Sequence, residues 1–220
     1  MHNSRIKHIV LVIAIAFSSC KKSKTVDYKY ADSPKVLSCN LSNGDLFHDA
    51  IYAFNNDLIN TYDKQKSNGS RIYSNFVNFS SRGKINVEDI ASKHSLKIAK
   101  ALKAESNLWH IENGKTSLNA SHPLVDCIAN NIKDKDIKAT FNALLSTNSL
   151  KPKLILPLLN ASPGAVQTDW NLKSYIAFEL FYSQLLEVEL AQLKNPNPKP
   201  DVKPAQPLIK NVNFNQRPAK

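Results

Sequence analysis

Apolar side chains return every fourth residue at Leu46, Ala50, Phe54, Leu58 and Tyr62, with Phe47 and Ile51 on the adjoining flank. A repeat near 3.6 residues gathers them on one helical face, and Ser42 or Asn43 just ahead supplies a capping oxygen. Ile72, Phe76 and Phe79 suit a second helix, but the aromatic run RIYSNFVNF also suits a strand, and both readings stay open. Asn86 precedes an apolar pattern over residues 87–102, carried by Ile90, Ile98 and Leu102. This predicts a third helix, with Asp89 near its positive end.

Asn113, Gly114 and Lys115 break the chain, after which Pro123 suits the first turn of a helix bearing Leu124, Val125, Ile128 and Ile132. Asp136 begins another, with Ile137, Phe141, Leu144 and Leu145. LKPKLILPLLN reads as a short helix interrupted by Pro152 and Pro157, which lack the backbone donor, and SPGAVQTD reads as a loop. Residues 169–194 are the longest candidate helix, apolar around most of its circumference from Ile176 to Leu186. Such a helix belongs at the centre of a bundle. Glu179, Gln184, Glu187 and Glu189 interrupt it too often for a membrane span. No internal repeat of fixed period is visible. The fold class is therefore all-α: a compact multi-helix bundle over residues 43–194. Only 5 Gly among 220 residues is too few for the tight turns of a sandwich or barrel.

The ends follow different rules. The apolar run over residues 9–17 would extend about 14 Å as a helix, against a hydrocarbon core of roughly 30 Å, so it cannot span stably. Arg5 and Lys7 precede it and Ser18 and Ser19 follow, the charged, apolar, small-residue order of a secretory signal. The sequence Phe17, Ser18, Ser19, Cys20 resembles the lipobox of bacterial lipoproteins, with Phe17 where that family usually carries Leu. The resemblance covers about the first twenty residues. It implies a cleaved leader over residues 1–19 and diacylation of Cys20, whose acyl chains would supply the membrane anchor at about 0.8 kcal/mol per buried CH₂. An ordinary signal peptide with an incidental cysteine is the alternative. The lack of acidic residues directly after Cys20 resembles lipoproteins that remain facing the periplasm at the outer membrane.

Residues 20–42 mix charge, Ser and Pro without sustained periodicity, as a flexible tether would, with a reach of about 25 Å. Residues 195–220 hold Pro196, Pro198, Pro200, Pro204 and Pro207 and read as an extended, basic, Pro-rich tail. The net charge of +11 lies mainly in these ends, since residues 39–194 carry 17 basic against 15 acidic side chains. A nearly neutral body with basic tails argues against nucleic acid as a partner.

Candidate chemistry is sparse. With Cys20 assigned to lipid, Cys39 and Cys127 remain as an even pair in an oxidising compartment. A disulfide between them would close a long loop and stabilise by about 4 kcal/mol; two separate buried thiols are the alternative. His48, His94, His110 and His122 form no metal pattern. His94, four residues from both Ile90 and Ile98, suits a hydrogen-bonded core histidine. His110 and Glu112 lack the second cysteine motif of zinc deaminases. His48 and Asp49 sit on adjacent helix faces, a poor geometry for a relay. Trp109, Trp170, Tyr175 and Tyr182 serve either core packing or a binding surface. Asn-x-Ser triplets such as Asn78, Phe79, Ser80 are incidental in a bacterial-type exported chain.

No catalytic residues, cofactor, metal or small-molecule substrate are indicated. The expected function is that of a lipid-anchored envelope protein, a non-catalytic binding or structural module with an envelope protein as partner. An immunity or inhibitor protein acting on a toxin or hydrolase, and an undetected hydrolase, are the alternatives.

Overall fold

In the computed structural model, which describes residues 26–63 and 71–194, the fourfold apolar repeat becomes α1 (Gly44–Tyr62). Ala50, Ile51, Phe54 and Leu58 on it are fully buried. Asn43 sits at the cap position but makes no capping bond, and its Nδ2 donates instead to Glu105 Oε2 at 2.6 Å. The aromatic run resolves as helix α2 (Ile72–Ser81), burying Ile72, Tyr73, Phe76 and Val77. The helix expected over residues 87–102 is divided. Asn86 caps only a 3₁₀ turn (Val87–Asp89), and Ser92 then caps α3 (Lys93–Lys103) by accepting the Ser95 N–H.

After α3 comes an element that apolar periodicity does not reveal, an antiparallel hairpin of β1 (Trp109–Glu112) and β2 (Lys115–Leu118). Asn113 and Gly114 turn it with φ of 50° and 78°, the positive values that a two-residue type I′ turn requires. The chain break at this point is therefore a reversal between strands.

Four short helices follow: α4 (Pro123–Asn131), α5 (Lys135–Ser146), α6 (Pro152–Ala161) and α7 (Pro163–Thr168). Asp134 caps α5 through two backbone N–H groups. The expected loop SPGAVQTD is largely helix α7, with Pro163 at its first position, where the missing N–H has no intrahelical role. Pro157 lies inside α6 and leaves the Lys153 carbonyl without its i+4 donor.

The C-terminal helix runs as α8 (Trp170–Ile176), a π-helical segment (Ala177–Tyr182) and α9 (Ser183–Lys194). It is buried almost all round from Leu172 to Tyr182, as expected of the bundle's central helix. Phe178, Phe181 and Tyr182 pack against α1, where the Phe54 ring lies 4.9 Å from that of Phe181, and the Tyr182 hydroxyl donates to the Ala50 carbonyl at 2.9 Å. The fold is all-α apart from the hairpin. Among the described residues, no helix is long and apolar enough to cross a membrane.

One expectation is corrected. Residues 26–42, assigned to the flexible tether, form a strap laid on the body although they contain neither helix nor strand. Val36 is buried, and Val26, Tyr28, Leu37 and Leu41 pack against the core. Irregular backbone can be held this way when side chains supply the apolar contact and the body supplies hydrogen-bond partners. The leader, Cys20 and the Pro-rich tail lie outside the described residues.

Candidate functional site

Two groups of buried polar residues stand out, one beneath the strap and one beside the hairpin. Beneath the strap, Asp49 is fully buried on α1 and accepts the Tyr30 backbone N–H at 2.7 Å and His94 Nε2 at 2.6 Å. His48 Nε2 donates to the Tyr30 carbonyl at 3.1 Å. Asp49 thus pairs with His94 from α3 and not with its neighbour His48, as the adjacent helix faces require. Two turns along α1, Asp57 accepts the Ser92 N–H at 2.9 Å and Ser95 Oγ at 2.6 Å, so it fastens the start of α3. The strap is closed by Cys39 and Cys127, whose sulfurs lie at disulfide distance with Cα atoms 5.9 Å apart across 88 residues of sequence. Asn131 on α4 adds a contact from Nδ2 to Cys39 Sγ at 3.4 Å.

The other histidines are separate. His122 caps α4, its Nδ1 accepting the Leu124 N–H at 3.1 Å, and burial holds its pKa below the usual imidazole value against the opposing pull of Glu105. His110 lies exposed on β1, 3.7 Å from Glu112. The four aromatics divide as well. Tyr175 and Tyr182 are core, Trp109 Nε1 donates to the Leu102 carbonyl at 2.7 Å, and the Trp170 ring lies tilted 5.2 Å from that of Tyr52, with the Lys173 ammonium 4.4 Å from the Trp170 ring. No group of three or more potential metal ligands occurs among the described residues.

Beside the hairpin, the C-terminal helix offers two carboxylates to the N–H groups of β2 that β1 does not use. Glu179 Oε2 accepts the Leu118 N–H at 2.7 Å, and Glu187 Oε1 accepts the Thr116 N–H at 2.8 Å. The exposed edge of a two-stranded sheet is thereby covered. Glu187 also meets Lys115 Nζ at 3.2 Å from the rim. Glu179 lies in the π segment, is only 7% exposed, and forms no ion pair among the described residues. Burial raises its pKa to about 8, offset in part by the Leu118 N–H and reinforced by the charge of Glu187. Its carboxyl therefore holds a proton at neutral pH. Thr116, 6% exposed, has its Oγ1 buried without a partner.

These residues line a cleft of about 780 Å³ between β2, the end of α2, α6 and the C-terminal helix. Its apolar walls include Leu156, Leu180 and Val188, while Lys153 and Asn160 contribute polar groups from α6. Sequence reasoning missed this site, treating Glu179 and Glu187 only as residues that interrupt an apolar helix. The available signal was Asn-Gly after WHIE, which predicts a hairpin whose edge needs acceptors. Comparison with family models, curated proteins and solved structures found no match to this chain.

Proposed function

We propose that the protein is a lipid-anchored module of the bacterial envelope, held through Cys20 at the outer membrane and facing the periplasm, that binds a protein partner without catalysis. The observation carrying this reading is the cleft beside β2, whose volume of about 780 Å³ falls in the range of binding sites for small ligands or inserted side chains. Several groups that could serve acid–base chemistry are engaged in fastening: Asp49 holds the strap and pairs with His94, and His122 caps a helix. An acyl anchor on Cys20, six residues before the strap begins, would confine the cleft near the membrane and raise its effective concentration for a partner fixed there.

Cross-linking and reciprocal pull-down from native envelopes, with wild type and Cys20→Ser, test the proposal. The expected outcome is palmitate incorporation and capture of one identified envelope protein by wild type, with both lost in Cys20→Ser. A toxin as that partner would make the module an immunity protein. Equal palmitate labelling of the two forms would remove the anchor from the reading. Turnover by the purified body, abolished by one histidine or carboxylate substitution that leaves it folded, would overturn the non-catalytic assignment.

A further inference from the structure

We infer that the cleft beside β2 is a recognition site for a primary ammonium group on an aliphatic stem, seated against Glu179 and Thr116 with its stem along Leu156, Leu180 and Val188. This rests on the reading of the protein as a binding module and names the chemistry of its site.

Three features of the cleft point to that ligand. First, the cleft lining carries two carboxyl groups, those of Glu179 and Glu187. Second, Thr116 Oγ1 is a buried hydroxyl with no partner, an arrangement that costs free energy unless a ligand supplies one. Third, part of the wall is aliphatic, through Leu156, Leu180 and Val188, which suits the methylene stem of an alkylamine. Of the two lysines on the lining, Lys115 reaches Glu187 from outside with its side chain 82% exposed, and neither Lys115 nor Lys153 forms an ion pair with Glu179.

The π segment explains how the site is presented. π-helical turns occur often at functional sites, and here one carries Glu179 in the middle of an otherwise apolar helix. The charged and titratable groups facing Glu179 are Glu187 and Tyr175 on its own helix, Lys115 on β2 and Lys153 on α6. Ser80, Ser81 and Asn86, from α2 and the segment after it, do not titrate. Because the Glu179 carboxyl keeps its proton up to about pH 8, an arriving ammonium takes the place of that proton, which leaves to solvent. Affinity should therefore rise with pH through this range while the amine stays charged.

Calorimetric titration of the purified protein with cadaverine, Nα-acetyl-lysine amide and Nα,Nε-diacetyl-lysine amide tests this. We expect saturable binding of the two amines, tighter by roughly twentyfold at pH 8.5 than at pH 6.5, with proton release. The diacetylated probe should not bind. Glu179→Gln should weaken amine binding at least about tenfold and abolish its pH dependence, and Thr116→Val, which keeps the shape, should weaken it severalfold. Tighter binding of cadaverine would indicate a free amine as the natural ligand, and tighter binding of the lysine amide a partner's side chain. No amine binding, or equal binding of the diacetylated probe, would overturn the inference. Envelope capture that persists in that case would leave the module reading standing.

Discussion

The strap cluster and the hairpin cleft both bury a carboxyl group, and they treat it in opposite ways. Asp49 receives a backbone N–H and a histidine, one from the strap and one from α3, so each bond joins two segments of chain. Glu179 receives one backbone N–H, sits beside a second carboxylate, and has an unpartnered hydroxyl near it on the cleft lining. A buried acid with its partners in place is a fastener. A buried acid short of partners raises its own pKa and stands ready for a ligand. Burial alone therefore does not separate structural from functional carboxyls; the count and identity of their partners does.

Breaking the strap gives the largest expected effect. Replacing Cys39 and Cys127 together by Ser removes a cross-link spanning 88 residues, for which chain entropy allows about 4 kcal/mol. That corresponds to a fall in Tm of roughly 10 °C for a domain of this size. Thermal melts of wild type with and without reductant, compared with the double variant, measure it. Amine binding at the cleft should be unchanged below the new Tm, since the disulfide and Glu179 share no contact. An unchanged Tm would mean that the strap's other bonds suffice to hold it.

A smaller effect concerns the cleft carboxyl and its response to pH. The folded-state pKa of Glu179 is raised to about 8, above that of the unfolded chain, so between about pH 4.5 and pH 8 the native state binds more protons than the unfolded state. Stability contributed by the protonated carboxyl is thus present at low pH and lost as pH rises toward 8. The loss is on the order of 3 kcal/mol across that range. Glu179→Gln, which is neutral throughout, should abolish this component. Denaturant melts of both proteins at pH 5 and pH 8 decide the point: a stability difference independent of pH would show that Glu179 titrates as an ordinary surface acid.

The sequence made the fastened parts of the molecule more legible than the cleft. Leu46 to Tyr62, Pro123 to Ile132 and the long apolar segment ending at Lys194 announce their helices because burial on one face, or all round, is written locally at helical spacing. Cys39 and Cys127 are legible as a pair only once Cys20 is set aside for lipid, with two separate thiols as the alternative. The strap reads as a tether because its apolar residues, Val26, Tyr28, Val36, Leu37 and Leu41, follow no period and pack against a core assembled from distant segments. α7 was misread because Ser, Pro and Gly mark turns and helix starts alike. Glu179 and Glu187 meet N–H groups 61 and 71 residues away, and no local pattern encodes that distance.

The smallest effect provides the sharpest comparison, because it concerns one hydroxyl in each region. Ser95 is fully buried and its Oγ donates to Asp57 at 2.6 Å, so Ser95→Ala leaves a buried carboxylate short of a donor and should cost about 1–2 kcal/mol. Thr116 Oγ1 is buried with no partner, and Thr116→Val exchanges it for a methyl of similar size. Its desolvation penalty disappears while the Thr116 backbone N–H still bonds to Glu187, so stability should rise by about 1 kcal/mol. Two substitutions of the same chemical kind should thus move stability in opposite directions in chemical denaturation at pH 7. The gain at Thr116 should accompany weaker amine binding, as expected where a site holds polar groups in readiness at the expense of stability. If Thr116→Val destabilises by as much as Ser95→Ala, the Thr116 hydroxyl has a structural partner in solution, and the two regions differ less than their geometry indicates.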